Sequence, residues 1–227
     1  MLAYWPSLRL PFISDDYLQI RLGREYGPVS GWASLLNDAL YRTRATSLVM
    51  TYWTERIFGL IPFVFNLSSL ALHIVNSILV FALGFWRPVG WRAAAIGACF
   101  FAVSQRHHEA VMWYSALPEL LVFFFSILSL LCWIWWLQSG RAGTLAYWGA
   151  LLFFFAGLFS KESAVAVGPL LLMAGAAERV PWRVLIVRLA PFAVVSALYF
   201  AGIYAARDTH LHFNDAGTFS LGAPFPT

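Results

Sequence analysis

The chain has 227 residues, of which 60% are hydrophobic, 18% aromatic and 11% charged. Soluble domains carry about 25% charged residues, so this composition excludes an ordinary soluble domain and, with its long apolar runs, indicates an integral membrane protein. The net charge of +4 does not mark a nucleic-acid surface: the 15 basic residues are scattered among apolar segments and all but Lys161 are arginine, which is a topology signal.

Met1 to Leu10 has no long apolar core, so no cleavable signal peptide is expected. No spanning segment precedes the first polar region and Thr218 to Thr227 reads as loop, so the chain is expected to be a fragment of a longer protein. Residues 14–59 are the longest polar stretch. Asp15, Asp16, Arg21, Arg24, Glu25, Asp38, Arg42, Arg44, Glu55 and Arg56 alternate there with Trp32, Tyr41, Tyr52 and Trp53, a mixture suited to helices lying in the membrane interface. Leu60 to Gly84 is uncharged and long enough to span, with His73 and Asn76 on one helical face.

Ala93 to Ser104 is apolar but short: even from Trp91 it reaches about 21 Å, against a core of about 30 Å. The cluster Arg106-His107-His108-Glu109 is therefore expected to start below the membrane surface, facing protein or a wet cavity. Leu117 to Leu137 is the next span and ends in Trp133, Trp135 and Trp136. Thr144 to Ala177 would reach about 51 Å as one helix, so two short helices are predicted, meeting at Ser160-Lys161-Glu162, with a kink at Gly168-Pro169 in the second. Val184 to Ala206 is the last span, and Arg207 to Thr227 is polar, with His210, His212 and Asp215.

The fold class read from this pattern is all-α, a polytopic transmembrane helical bundle with a large first external loop containing interfacial helices. Residues 1–59 form that loop, 60–206 the bundle of about six spans, and 207–227 the start of a further external loop. The short loops 85–92, 138–143 and 178–183 share one side and carry Arg87, Arg92, Arg141, Arg179 and Arg183 against the single acid Glu178, so that side is cytoplasmic. Asp15-Asp16, His107-His108-Glu109 and Lys161-Glu162 then all fall on the opposite, external face. Carboxylate, imidazole and a lone ammonium together suit acid–base chemistry and phosphate binding, and because buried or semi-buried charges are costly, such clusters usually mark a site.

Simpler readings stand beside these. Asp15-Asp16 suits a helix N-cap before Tyr17, and His107-His108-Glu109 a solvated loop. Adjacent histidines diverge on a helix, which disfavours a shared metal. Lys161-Glu162 suits a plain turn, and His73 with Asn76 interhelical hydrogen bonding. Cys99 and Cys132 lie in apolar segments with no partner at metal spacing. The sequon Asn66-Leu67-Ser68 sits within a span and should be unmodified.

Several of these stretches, taken in order, resemble one family. Phe12-Ile13-Ser14-Asp15-Asp16-Tyr17 is similar to the first external loop of GT-C glycosyltransferases. Arg44, Phe58-Gly59-Leu60-Ile61-Pro62-Phe63, Leu72-His73-Ile74-Val75-Asn76, His107-His108-Glu109-Ala110-Val111-Met112-Trp113 and Ser160-Lys161-Glu162-Ser163 resemble elements of the transmembrane and tetratricopeptide-repeat O-mannosyltransferases. The resemblance runs from residue 12 to about 175. The chain departs from the family pattern at Ala45 (Pro in the family), at Leu117-Pro118 before Glu119 (Arg-Ala) and at Ser104-Gln105 (His-Pro), and it contains no tetratricopeptide repeat.

The resemblance implies a GT-C-like bundle and transfer of a sugar from a polyprenyl-phosphate donor to a protein or glycan hydroxyl on the external face. It implies the following assignments: one of Asp15 and Asp16, with Asp15 preferred, is the catalytic base; the other orients it or binds a divalent metal, the only cofactor that comes into question; Arg44, His107 and Lys161 contact the lipid phosphate; and His108, Glu109 and Glu162 support them. Expected partners are the lipid-linked donor, the acceptor and membrane lipids, with no nucleic acid, and the expected location is a bacterial inner membrane with the site facing the periplasm. A lipid or solute transporter, or a non-catalytic assembly subunit, is the alternative.

Overall fold

The structure, a computed structural model, describes residues 2–37, 44–139 and 143–205. The readings placed on Asp38, Tyr41, Arg42 and Arg141, and on the loop 207–227 with His210, His212 and Asp215, lie outside these residues. Every element among the described residues is helical.

A 3-10 helix over Leu2–Arg9 precedes α1 (Asp15–Tyr26), α2 (Trp32–Asn37) and α3 (Ala45–Phe58). α3 stops at Gly59, whose φ of 75° lies where a side chain is disfavoured. Pro62 then opens α4 (Pro62–Ala82), at a position where a backbone N–H would have no helical partner. There follow α5 (Gly90–Val103), α6 (His108–Met112), α7 (Leu117–Ser139), α8 (Thr144–Leu158), α9 (Val167–Ala177) and α10 (Trp182–Ala205).

With the 3-10 turns that extend two of them, the segments Pro62–Phe85, Tyr114–Ser139 and Trp182–Ala205 are long and apolar enough to cross a membrane. The other apolar helices of the region 60–206 are shorter: Gly90–Val103, Thr144–Leu158 and Glu162–Ala177. The 14 residues of α5 reach about 21 Å, matching the length expected for this segment. The apolar stretch 144–177 does break in two. α8 ends at Leu158, Lys161 is extended (φ −162°, ψ 145°), and a 3-10 helix over Glu162–Ala166 leads into α9. Gly168-Pro169, where a kink is expected, lies at the start of the second helix. Pro169 falls in the first turn of α9, where its missing N–H breaks no intrahelical bond, and the change of helix type lies just before it.

α7 and α8 pack most extensively, with α9 against α7 and α10 against α8 and α9. Trp133, Tyr147, Phe154, Leu171 and Phe192 fill the space between them. A second cluster, Ile20, Phe65, Tyr114, Leu117 and Leu121, joins α1 to α4 and α7. α1 also crosses α3 closely. A Cβ on Gly27 would stand 2.3 Å from Cβ of Tyr52 and 2.9 Å from the Leu48 carbonyl oxygen, and one on Gly23 would stand 2.8 Å from Cγ2 of Thr51. Gly27→Ala is therefore expected to cost about 1–3 kcal/mol by overpacking, read as a lower thermal midpoint. An unchanged midpoint would mean that the α1–α3 contact yields more than these distances allow.

The bundle segregates its polar groups. At one end, Trp86 Nε1–H donates to Glu178 Oε1 at 2.6 Å, and Arg87, Pro88, Gln138 and Glu178 border one depression. The short loops expected to share a side therefore do meet. Glu119 and Lys161 lie at the other end of α7, about 28 Å away along the helix from Gln138.

Candidate functional site

At that second end is a cavity of about 720 Å³, within the range of small-molecule sites. Asp15, Arg44, His107, Glu109 and Lys161 all line it, with Gln19, Asn76, Trp113, Ser115 and Glu119. The predicted site residues among them come from four stretches of sequence.

The first stretch is the start of α1. Ser14 holds φ 41°, an uncommon value for a residue with a side chain, and the two aspartates that follow take different environments. Asp15 is exposed on the cavity, with one side-chain bond among the described residues, from Ser14 Oγ at 3.2 Å. Asp16 is 3% exposed. Its Oδ2 accepts the Ile13 N–H at 3.0 Å and its Oδ1 the Ser115 N–H at 2.8 Å. Asp16, in the first turn of α1, thus ties the chain just before the helix to the turn before α7. The N-cap residue is Ser14, without a side-chain cap hydrogen bond, so neither aspartate is the cap, and the cavity position belongs to Asp15.

The second stretch is the start of α3, at Arg44. A buried polar network joins this helix to α1 and to the turn before α7. Gln19 Nε2 donates to Ser47 Oγ and Thr51 Oγ1, both at 3.2 Å, and Thr51 Oγ1 lies 3.0 Å from the Tyr114 hydroxyl. The fourth stretch docks on the same helix. The Thr46 N–H donates to the Phe159 carbonyl at 3.2 Å, and the Thr46 and Ser160 hydroxyls are 2.7 Å apart. These contacts bring Arg44 and Lys161 to one cavity although 117 positions separate them in the chain.

The Lys161 ammonium pairs with Glu119 Oε1. Glu162 was expected to support Lys161, but it is exposed, lies off the cavity and makes no ion pair among the described residues. The 3-10 turn that begins at Glu162 carries its side chain away, while the first turn of α7 presents Glu119. Among the described residues Arg44 has no acidic partner.

The third stretch, 105–113, follows α5. His107 is half-buried against Phe101, ring centroids 4.3 Å apart, with His73 at 5.7 Å. Burial pulls its pKa below the usual 6.5, so it is a neutral ring at pH 7 and offers a phosphate an N–H rather than a charge. The folded chain binds fewer protons here than the unfolded one. This contribution to stability is whole above about pH 6.5 and declines as pH falls toward the lowered pKa. An NMR titration of the His107 ring is expected to give a midpoint below 6.5, and a midpoint above it would mean that a nearby carboxylate, not burial, controls the ring.

His108 does not join the cavity. It is exposed, and its Nδ1 lies 2.5 Å from the Gln105 carbonyl. Glu109 lines the cavity, but among the described residues no hydrogen bond links it to His107. His73 and Asn76 do bridge helices, His73 Nε2 with Ala102 O at 3.3 Å and Asn76 Nδ2 donating to Leu120 O at 3.0 Å. Asn66, the sequon residue, is buried and donates to the Leu10 carbonyl.

Glu119 and Asn76 are among the cavity residues that sequence reasoning left without a site role. The available signal was their type: an acid and an amide on otherwise apolar spans are expensive unless used. Among the described residues no group of three His, Cys, Asp or Glu side chains is placed to hold a metal ion. Chemically, the cavity offers the exposed carboxylates of Asp15 and Glu109, a guanidinium with no acidic partner among the described residues, an ammonium held by Glu119, and a neutral imidazole. Comparison of the chain with family models, with curated proteins and with solved structures finds no match.

Proposed function

We propose that the chain is a membrane glycosyltransferase of the GT-C kind. In this reading it moves a sugar from a polyprenyl-phosphate donor to a protein or glycan hydroxyl at the outer face of a bacterial inner membrane. The observation that carries the reading is the meeting of Asp15, Arg44, His107 and Lys161 on one cavity at the end of an apolar bundle. The same residues carry the likeness to the O-mannosyltransferases.

The roles follow from the chemistry of each group. Arg44, Lys161 and the His107 N–H hold the lipid phosphate, the cations by charge-assisted bonds. Asp15 accepts the proton of the acceptor hydroxyl. The acceptor oxygen bonds to the anomeric carbon while the bond from that carbon to the phosphate oxygen breaks. The electron pair leaves on the polyprenyl phosphate, whose charge the two cations stabilise. Glu119 orients the Lys161 ammonium until the phosphate arrives, and Asp16 positions Asp15 through the α1 start.

The test is transfer of label from polyprenyl-phosphate hexoses to an acceptor fraction, in proteoliposomes carrying the chain. Appearance of labelled acceptor together with free polyprenyl phosphate supports the reading. Movement of intact labelled lipid between leaflets, with no cleavage of the sugar–phosphate bond, would replace it with a transporter.

A further inference from the structure

One wall of the cavity carries hydrogen-bonding capacity that neither phosphate binding nor proton transfer uses. Asn76 is fully buried, and the bond from its Nδ2 to the Leu120 carbonyl orients the amide so that Oδ1 is left without a partner among the described residues. Among the described residues Trp113 Nε1 and Ser115 Oγ are likewise buried and unpartnered, and all three residues line the same cavity. Buried polar atoms in folded proteins nearly always find partners, so three such atoms around one cavity point to a ligand that completes them.

Their types narrow the ligand. Asn76 Oδ1 accepts only, Trp113 Nε1–H donates only, and the Ser115 hydroxyl does both. A phosphate oxygen carries no proton and would be repelled by Asn76 Oδ1. A hydroxyl both donates and accepts, so a group of adjacent hydroxyls satisfies all three. Phe101 and Phe123, stacked with centroids 4.7 Å apart, supply apolar surface on the same cavity. Apolar walls with a few placed polar groups are the usual make-up of a small-molecule site.

We propose that Asn76, Trp113 and Ser115 form a subsite for a hydroxyl-bearing ring, the hexose of the donor. This rests on the glycosyl-transfer reading above and adds where the sugar sits. The Ser115 backbone N–H is held by Asp16 Oδ1 at 2.8 Å, so the subsite is tied to the same helix turn that presents Asp15. The reacting carbon and the base are thereby set in register by one buried carboxylate.

The test is native mass spectrometry of the whole chain in nanodiscs. The probes are one polyprenyl phosphate, the same lipid phosphate bearing mannose, glucose or N-acetylglucosamine, and the three methyl glycosides. Trp113→Phe and Ser115→Ala remove one group each while keeping the helix contacts; Asn76→Leu also breaks the bond to Leu120 and is not used. At least one glycosylated lipid is expected to bind more tightly than the bare lipid. Each variant should cut that preference about threefold to tenfold, the worth of one hydrogen bond, with bare-lipid affinity unchanged. Methyl glycosides that bind through Trp113 and Ser115 while no lipid phosphate binds would uphold the subsite and overturn the lipid-phosphate reading. A sugar preference that survives both variants, equal weakening of bare and glycosylated lipid, or no binding of any hexose probe would each overturn the subsite.

Discussion

Asp15→Asn is expected to lower the rate of sugar transfer by about 10²–10⁴-fold, the usual contribution of a positioned base, while leaving the thermal midpoint within error of the parent. Asp15 is exposed, and its one side-chain bond among the described residues, with Ser14, is exposed as well, so its charge holds none of their other groups in place. Asp16→Asn is expected to do the reverse in kind. Asp16 is buried and accepts two backbone N–H groups from separate segments. The amide keeps one acceptor oxygen and sets a donor against a donor, at a cost of about 1–3 kcal/mol. The midpoint should fall and activity should fall with the folded fraction. Initial rates beside thermal unfolding of the two variants decide the matter. A stable Asp16→Asn without activity, next to an active Asp15→Asn, would transfer the base to Asp16.

Lys161→Met is expected to reduce kcat/KM for the lipid-phosphate donor by about tenfold to 150-fold, since a hydrogen bond to a charged group contributes about 1.5–3 kcal/mol. The effect on folding should be small. The side chains of Lys161 and Glu119 are 23% and 45% exposed, and pairs of that kind contribute at most about 1 kcal/mol. Lys161→Arg should retain much of the activity because the charge stays. Donor-saturation kinetics on Lys161→Met and Lys161→Arg provide the check. Equal activity of Lys161→Met and the parent would leave Arg44 as the only cation on the phosphate. A collapse of stability would instead give Lys161 a structural role through Glu119.

Much of the fold was legible in the sequence because a membrane restricts the choices. An apolar run without charge must be helical, since no water is present to satisfy backbone groups, and its length decides whether it can cross. Leu60 to Gly84 and Leu117 to Leu137 were readable on that basis, as were the shortness of α5 and the break at Lys161. The shared end of the short loops followed from parity of the apolar segments and from the placement of arginine.

Sequence alone therefore determined the helical class, the apolar segments and the gathering of Asp15, His107 and Lys161 toward one end of the bundle. Each of these depends on hydropathy, charge and length, which are local properties. Only the tertiary structure decided which member of each adjacent pair serves the cavity. Asp15 and Asp16, His107 and His108, and Lys161 and Glu162 are neighbours of similar chemistry, and their orientations depend on helix starts and on contacts as distant as Asp16 with Ser115 and Thr46 with Ser160. The pairing of Lys161 with Glu119 and the unpartnered wall of Asn76, Trp113 and Ser115 exist only once α4, α7 and the loops between helices have packed.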